Sequence, residues 1–259
     1  MKTTVLIAAL LLPLPALAAS PFDGTWKIDV GTAQPPDKPN IFQLQNGTYS
    51  CTSCAAPFTI PADGAAHPIA GNPYVDSVAI RIVDARGIVE TDSKAGKALF
   101  IYTMTVSADG QSMTTVLVDH SAVNGVPAGG TIFQARVKPA PTGAHAVSGE
   151  WRATRYEGFS GSALTMTLKL EGDRFSFSQP TGQSYTATLG GPAVPYTGDP
   201  GITTVSATRA GADTVVETDM RAGKIIATNT MTTHDGRTLL DTFVDKLRGS
   251  TQSLSLIKH

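Results

Sequence analysis

The two cysteines of the chain lie close together, in the segment Cys51-Thr-Ser-Cys54. In an extended strand, residues three positions apart are separated by roughly 10 Å, which exceeds the Cα separation of about 7 Å that a disulfide tolerates. A disulfide between Cys51 and Cys54 therefore requires the strand to end near Cys51 and the chain to turn. We favour this local disulfide, and unpaired buried thiols, redox exchange and metal binding remain open alternatives.

A second chemical pattern is the tripeptide Glu-Thr-Asp, which occurs at Glu90-Thr-Asp92 and again at Glu217-Thr-Asp219. Residues two positions apart in a strand point to the same face, so each pair of carboxyl groups shares one environment. Facing inward, such a pair could act as general acid and base, because confinement separates the two pKa values. We favour the outward orientation, in which the acids form weak surface pairs with basic residues of the adjoining hairpin. Those basic residues are Lys94, Lys97, Arg221 and Lys224.

Aromatic residues are spread along the chain, and four tyrosines are our candidates for contact with a small ligand. They are Tyr49, Tyr74, Tyr102 and Tyr196. The same side chains suffice to fill a core, which is the more common role of buried aromatics. The sequence leaves both roles open, since an eight-stranded barrel is wide enough for packed side chains or for one small ligand.

Signatures of metal, nucleotide and serine-hydrolase sites are not evident. The five histidines are not spaced as metal ligands. The segment Gly158-Phe-Ser160-Gly161 lacks the spacing of a nucleophile elbow, and no Walker loop or dinucleotide fingerprint occurs. We therefore expect no metal and no cofactor, and the catalytic residues of any enzyme activity remain unknown.

The elements that must position these residues come in two copies. Residues 90–97 and 217–224 are identical at six of eight positions, at a spacing of 127 residues. Upstream, Gly24-Thr-Trp26-Lys matches Gly149-Glu-Trp151-Arg at a spacing of 125 residues. Matching order and spacing over several segments indicate an internal duplication.

Each copy contains short runs rich in β-branched and aromatic residues, separated by turns with Gly and Asp. This pattern predicts an all-β chain with two tandem antiparallel up-and-down β-barrel units, because closure into a barrel removes exposed edge strands. The prolines and glycine of residues 139–144 predict a linker. It separates a first β-barrel repeat at 20–138 from a second at 145–259. One closed sheet built from both halves is the alternative.

The opening strand of each copy resembles the first strand of lipocalins and related calycin barrels. In those families a Gly-x-Trp segment places the tryptophan across one end of the barrel, and a basic residue of the last strand packs over the indole. The resemblance implies that Arg136 covers Trp26 in the first copy and that Lys258 covers Trp151 in the second.

The chain is also similar to small exported bacterial proteins that begin with a Gly-Thr-Trp-Lys strand and have no agreed activity. Each copy is shorter than a typical lipocalin, and no further lipocalin segment is evident. These resemblances therefore imply a barrel fold with the tryptophans as plugs, and they do not imply a carrier function.

Residues 1–19 have the order of a secretory signal peptide, with Lys2, an apolar run and small residues at the end. We predict cleavage near Ala18 or Ala19 and a periplasmic or secreted mature protein. No later apolar stretch is long enough to span a membrane as a helix. A formal net charge of −1 gives no electrostatic reason to expect binding to nucleic acid.

Three functions remain open from the sequence. The first is a non-catalytic binding protein for a small, largely apolar molecule. The second is an envelope module that binds or inhibits a protein partner through loops or strand edges. The third is a lipocalin-like enzyme, an isomerase, hydratase or hydrolase that uses polar groups of the barrel lining. An empty cavity would favour the first function, a filled core the second, and inward-facing acids the third.

Overall fold

The computed structural model describes residues 20–259, and this part of the chain contains strands and turns but no helix. It therefore holds no helix long and apolar enough to cross a membrane. The predicted signal peptide at residues 1–19 lies outside the described residues.

Twenty strands run through the described chain. The first ten are β1 (Gly24–Gln34), β2 (Asn40–Gln45), β3 (Thr48–Cys51), β4 (Phe58–Pro61), β5 (Ala66–Pro68), β6 (Ser77–Asp84), β7 (Gly87–Lys94), β8 (Lys97–Val106), β9 (Ser112–Asp119) and β10 (Ala128–Lys138). The second ten are β11 (Gly149–Glu157), β12 (Thr165–Glu171), β13 (Arg174–Ser178), β14 (Ser184–Thr188), β15 (Val194–Pro195), β16 (Thr204–Arg209), β17 (Thr214–Arg221), β18 (Lys224–Thr232), β19 (Thr238–Asp245) and β20 (Ser250–Lys258).

The strands form two antiparallel ten-stranded sheets, each nearly closed into a barrel. One sheet has the order β4-β3-β2-β11-β10-β9-β8-β7-β6-β5, and we call it the first barrel. The other has the order β14-β13-β12-β1-β20-β19-β18-β17-β16-β15, and we call it the second barrel. A bridge between Ser184 and Thr197 joins the two ends of the second sheet. The predicted fold class, all-β with two antiparallel barrels, is confirmed.

The two repeats exchange their opening strands. β1 pairs with β12 and β20 of the second repeat, and β11 pairs with β2 and β10 of the first. The first barrel is therefore one continuous segment, residues 40–157, inserted between two parts of the second barrel, residues 24–34 and 165–258. This corrects the expectation that each repeat closes on its own opening strand.

The proline-containing segment 139–144 does not connect the two barrels. It lies between β10 and β11, which pair as neighbours in the first barrel. The chain crosses from one barrel to the other at residues 35–39, after β1, and at residues 158–164, after β11. The linker expected from the sequence is thus a turn within one barrel, because the exchanged strand moves the crossing points.

A tryptophan packed beneath a basic side chain fixes each exchanged strand. The guanidinium carbon of Arg136 lies 4.0 Å from the centroid of the Trp151 ring, and Lys258 Nζ lies 4.8 Å from that of Trp26. Both indoles are fully buried. The sequence predicted the opposite partners, Arg136 with Trp26 and Lys258 with Trp151, because it assigned each opening strand to its own repeat.

The glycine of each Gly-x-Trp segment makes room for that basic side chain. Gly24 has a φ of 140° and Gly149 a φ of 124°, conformations that favour glycine. A Cβ at Gly24 would lie 3.2 Å from Lys258 Cε. The basic residue continues past the glycine, and Arg136 donates hydrogen bonds to the Ala146 and Ser148 carbonyls. The motif therefore joins the first strand of one repeat to the last strand of the other.

The strand exchange can be tested with paired cysteines. The Thr25 and Thr167 hydroxyls lie 3.2 Å apart across β1 and β12, so Thr25→Cys with Thr167→Cys should form a disulfide within one chain. Thr25→Cys with Ile41→Cys should not, although Glu150, the counterpart of Thr25 in the repeat, pairs with Ile41. Non-reducing mass spectrometry of peptides would locate the bond. A Cys51→Ser, Cys54→Ser background removes competing thiols, and a Thr25–Ile41 cross-link would contradict the exchange.

Candidate functional site

Residues 20–259 enclose a cavity in each barrel and a further cavity between the barrels. The cavity of the first barrel has a volume of about 420 Å³ and that of the second about 340 Å³. The inter-barrel cavity, of about 350 Å³, shares Ile132 with the first and Leu254 with the second. Tyr74 lines both barrel cavities. The three spaces are therefore neighbours within one interior.

Two acidic side chains line the first cavity. Glu90 and Asp92 project into it from β7, on the same face as the fully buried Ile88. The Tyr49 hydroxyl donates a hydrogen bond of 2.9 Å to Glu90 Oε2. The carboxyl groups of Glu90 and Asp92 lie within hydrogen-bonding reach of each other. One oxygen, Asp92 Oδ1, is buried without a hydrogen-bond partner among residues 20–259.

The second cavity repeats this arrangement with one change of strand. Glu217 and Asp219 project inward from β17, and Asn229 Nδ2 donates a hydrogen bond of 3.1 Å to Glu217 Oε1. The tyrosine that donates to Glu217 Oε2 is Tyr185 on β14. In the first barrel the equivalent donor, Tyr49, comes from β3. In both barrels a tyrosine hydroxyl therefore donates to the equivalent glutamate, but the two tyrosines lie on strands that are not equivalent.

The inward orientation corrects the sequence interpretation, which favoured surface acids. Glu90 and Glu217 are each 5 % exposed, and Asp219 is 1 % exposed. Two of the four basic residues of the hairpins have other partners, since Lys94 and Arg221 donate to the Pro200 carbonyl of the second barrel. Strand alternation explains the geometry, because each Glu-Thr-Asp continues the face of a fully buried aliphatic residue.

Burial sets the proton affinity of these acids. Desolvation raises the pKa of Glu90 and of Glu217. The pKa values of Asp92 and Asp219 are raised by desolvation and, in addition, by the neighbouring glutamate. Each pair therefore retains a proton at a pH where an exposed acid would have lost it. One carboxyl group can then donate a hydrogen bond while the other accepts.

A further acid, the partly buried Asp241 on β19, was missed from the sequence. It lines the second cavity, and burial raises its pKa to about 7. The corresponding residue on β9 is Thr115, whose hydroxyl donates a hydrogen bond of 2.9 Å to Gln134. Comparison of the two repeats could have identified Asp241 from the sequence, because only one copy has an acid at this position.

The candidate tyrosines occupy different places. Tyr74 lines both barrel cavities, Tyr102 lines the first and Tyr196 lines the second. Tyr49 lies fully buried beneath the first cavity, where it hydrogen-bonds Glu90. Tyr74 belongs to the first barrel, yet its ring packs on Gly201 of the second, where any larger residue would collide with it.

One of the two cysteines, Cys54, lines the first cavity. Cys51 and Cys54 form a disulfide with a Cα separation of 5.6 Å, as a turn after β3 brings them together. Within this turn, the Ser53 carbonyl accepts a hydrogen bond of 2.8 Å from Arg248 Nε of the second barrel. Arg248 also donates to Asn40 Oδ1 at 2.7 Å and lines the first cavity. Sequence reasoning did not identify Arg248.

Loops of the first barrel contact the second barrel in return. The Val123 amide donates a hydrogen bond of 2.8 Å to the Thr181 carbonyl, and Asn124 Nδ2 donates one of 3.0 Å to the Pro180 carbonyl. Both residues lie in the loop between β9 and β10, the counterpart of the β19–β20 loop that carries Arg248. Each barrel therefore supplies residues near the cavity of the other.

Among residues 20–259, no three His, Cys, Asp or Glu side chains are grouped so that they could hold a metal ion. The chain was also compared with protein-family models, with curated proteins and with solved structures, and none of these comparisons gave a match.

The buried acids make stability depend on pH. Asp241 has a pKa of about 7 in the folded chain against 3.8 for an exposed aspartate, so the folded state binds more protons between these values. The stabilisation that comes from tighter proton binding in the folded state is complete below pH 3.8 and is lost as the pH rises through about 7. We expect the Tm to fall from pH 5 to pH 8.5. The contribution of Asp241 to the loss in free energy of unfolding is at most about 4 kcal/mol, and Asp241→Asn should remove that part of the fall.

Circular dichroism melts across this pH range would measure the effect. Glu171→Gln, which neutralises an exposed acid of the same barrel, is the matched control and should follow the unmodified protein. A Tm that rises toward pH 8.5, or an Asp241→Asn profile parallel to that of the unmodified protein, would contradict the assignment.

Proposed function

We propose that this chain is a non-catalytic binding protein that holds small, largely apolar molecules in its barrel interiors. The observation that carries the proposal is an unfilled cavity in each barrel, of about 420 Å³ and about 340 Å³. Sites for small molecules have volumes of roughly 300–1,000 Å³ and mainly apolar walls with a few polar groups. A filled core would have favoured the interaction module instead.

The lining of the first cavity matches the needs of such a ligand. Aromatic and aliphatic side chains surround the space, among them Phe100, Tyr102 and Ile132. Polar side chains also line it, and they include the acids Glu90 and Asp92 and the cationic Arg248. A ligand with an apolar body and one polar end would bury the body against the walls and hydrogen-bond the acids. The acid pair can both donate and accept, so it would orient the ligand.

The resemblance of the opening strands to lipocalins is consistent with this proposal, because lipocalin barrels hold small ligands in their interiors. With the signal peptide predicted from the sequence, the proposed place of action is the periplasm or the outside of the cell. A carrier or scavenger of poorly soluble molecules would suit such a location.

A second candidate function is catalysis in the first cavity, and the inward orientation of Glu90 and Asp92 favours it. When two adjacent carboxyl groups share a proton, the protonated one can donate it to one atom of a bound molecule and the ionised one can take a proton from another atom. An isomerase or hydratase of the lipocalin type would use them in this way, with the hydrocarbon part of the substrate held by the aromatic wall.

Binding can be tested with a neutral fluorescent probe, N-phenyl-1-naphthylamine, titrated against the purified protein. Filling the space should abolish the signal, so Ile132→Trp with Leu254→Trp should lower the affinity at least about 10-fold. Val116→Trp, on the exposed face of β9, is the matched control and should bind as the unmodified protein does. Melting curves would show that all variants fold. Absence of probe binding, or equal binding by the filled variant, would contradict the proposal.

The catalytic alternative has a separate readout. Molecules that co-purify with the protein would be identified by native mass spectrometry, and the same compounds would then be incubated with the protein in D₂O. Proton transfer by Glu90 and Asp92 would place deuterium on carbon, and Asp92→Asn should reduce the rate at least about 100-fold. A ligand that binds without gaining deuterium would exclude this function for that ligand.

A further inference from the structure

The cavity of the second barrel differs from that of the first in its charge. Four acids line it: Asp199, Glu217, Asp219 and Asp241. No lysine, arginine or histidine of the described chain contributes to this lining. The first cavity, in contrast, is lined by two acids, Glu90 and Asp92, and by the cationic Arg248. Both cavities therefore have more acids than cations in their linings, but the excess is one acid in the first cavity and four in the second.

Two of these acids have oxygens with no internal partner. Asp219 Oδ1 and Asp241 Oδ1 are both buried, and neither accepts a hydrogen bond from any residue of the described chain. Asp219 is 1 % exposed, so bulk water does not solvate its side chain. A buried carboxyl oxygen without a donor is costly to the fold. Both residues line the cavity, so the positive charge of a bound ligand would offset this cost.

Comparison of the two copies shows that this arrangement is not required by the barrel. At the position of Asp241 the first barrel has Thr115, and at the position of Leu256 it has Gln134. Thr115 and Gln134 satisfy each other with a hydrogen bond of 2.9 Å. The second barrel has an acid and a leucine in their place, which leaves the acid free to bind a ligand. A pure scaffold role would be served as well by the self-satisfied pair.

Aromatic rings complete the lining. Phe177, Tyr196 and Phe243 line the second cavity together with Tyr74 from the first barrel. The rings of Phe177 and Tyr196 lie 6.1 Å apart between centroids. Aromatic faces attract cations, and carboxyl groups beside them add a direct charge interaction.

We propose that the second cavity binds an organic cation, an amine or quaternary ammonium compound whose charged group lies by Asp219 and Asp241 and whose apolar body contacts the aromatic rings. This inference rests on the proposed binding function and names the ligand class for one of its two cavities. An organic cation suits the site better than a bare metal ion, because the described residues hold no group of side chains arranged for metal coordination.

The charges around the cavity leave the acids available. Lys94 and Arg221 lie nearby but donate hydrogen bonds to the carbonyls of Pro200 and Gly201. Asp199 accepts hydrogen bonds of 2.7 Å from the Gly201 and Ile202 amides, so its carboxyl group is occupied by the loop. Asp219 and Asp241 each line the cavity and have one oxygen without a hydrogen-bond donor among residues 20–259.

The test is a calorimetric titration of the purified protein with benzyltrimethylammonium at pH 8, compared with its neutral carbon analogue neopentylbenzene in competition with N-phenyl-1-naphthylamine. We expect the cation to bind more tightly than the neutral analogue. Asp241→Thr, which installs the residue of the first barrel, should weaken cation binding at least about 10-fold, and Asp219→Asn should have a similar effect. Binding of N-phenyl-1-naphthylamine should change little in both variants.

Controls separate this inference from the proposed function. Glu171→Gln removes one negative charge from the exterior of the same barrel and should leave cation binding unchanged. Asp241→Asn is a second, isosteric variant in case Asp241→Thr fails to fold. If the neutral probe binds but the cation does not, or if the variants bind the cation normally, the inference is wrong and the binding function stands. If neither compound binds, both fail.

Discussion

The packing of a buried tryptophan under a basic side chain is the contact on which the architecture depends. Trp26 lies beneath Lys258, and Trp151 lies beneath Arg136. In both cases the indole Nε1 donates a hydrogen bond of 2.8 Å to the carbonyl four residues earlier, which fixes the entry to the strand. The contact attaches an opening strand to the last strand of the other repeat, so neither barrel is complete without both repeats.

The exchange explains why the interior is shared. Because the chain crosses between barrels after β1 and after β11, the two barrels are held side by side and their loops interlock. Arg248 of the second barrel lines the first cavity, and Tyr74 of the first lines the second. A ligand in either chamber would therefore contact residues of both repeats. Two separate barrels on a flexible linker would not provide such walls.

The acids within these chambers lower stability rather than raise it. Burial of Glu90, Glu217 and Asp219 costs solvation that a hydrophobic residue would not lose. A tyrosine hydroxyl offsets part of this cost in both copies by donating a hydrogen bond to the glutamate. The two tyrosines lie on strands that are not equivalent in the repeat. Among residues 20–259, the buried Oδ1 of Asp241 has no such donor. Polar groups kept in a core at a cost to stability are typical of functional sites.

The sequence by itself determined the duplication, the strand content and the turns, because these depend on residue order, on period-two alternation and on local turn chemistry. It also identified Tyr74, Tyr102 and Tyr196, which line the cavities. Only the tertiary structure decided which barrel each opening strand completes. Both strands carry the same Gly-x-Trp segment, so local preference does not distinguish the two pairings. The orientation of each Glu-Thr-Asp also required the structure, since apolar residues occupy both faces of these strands and only packing selects the buried one.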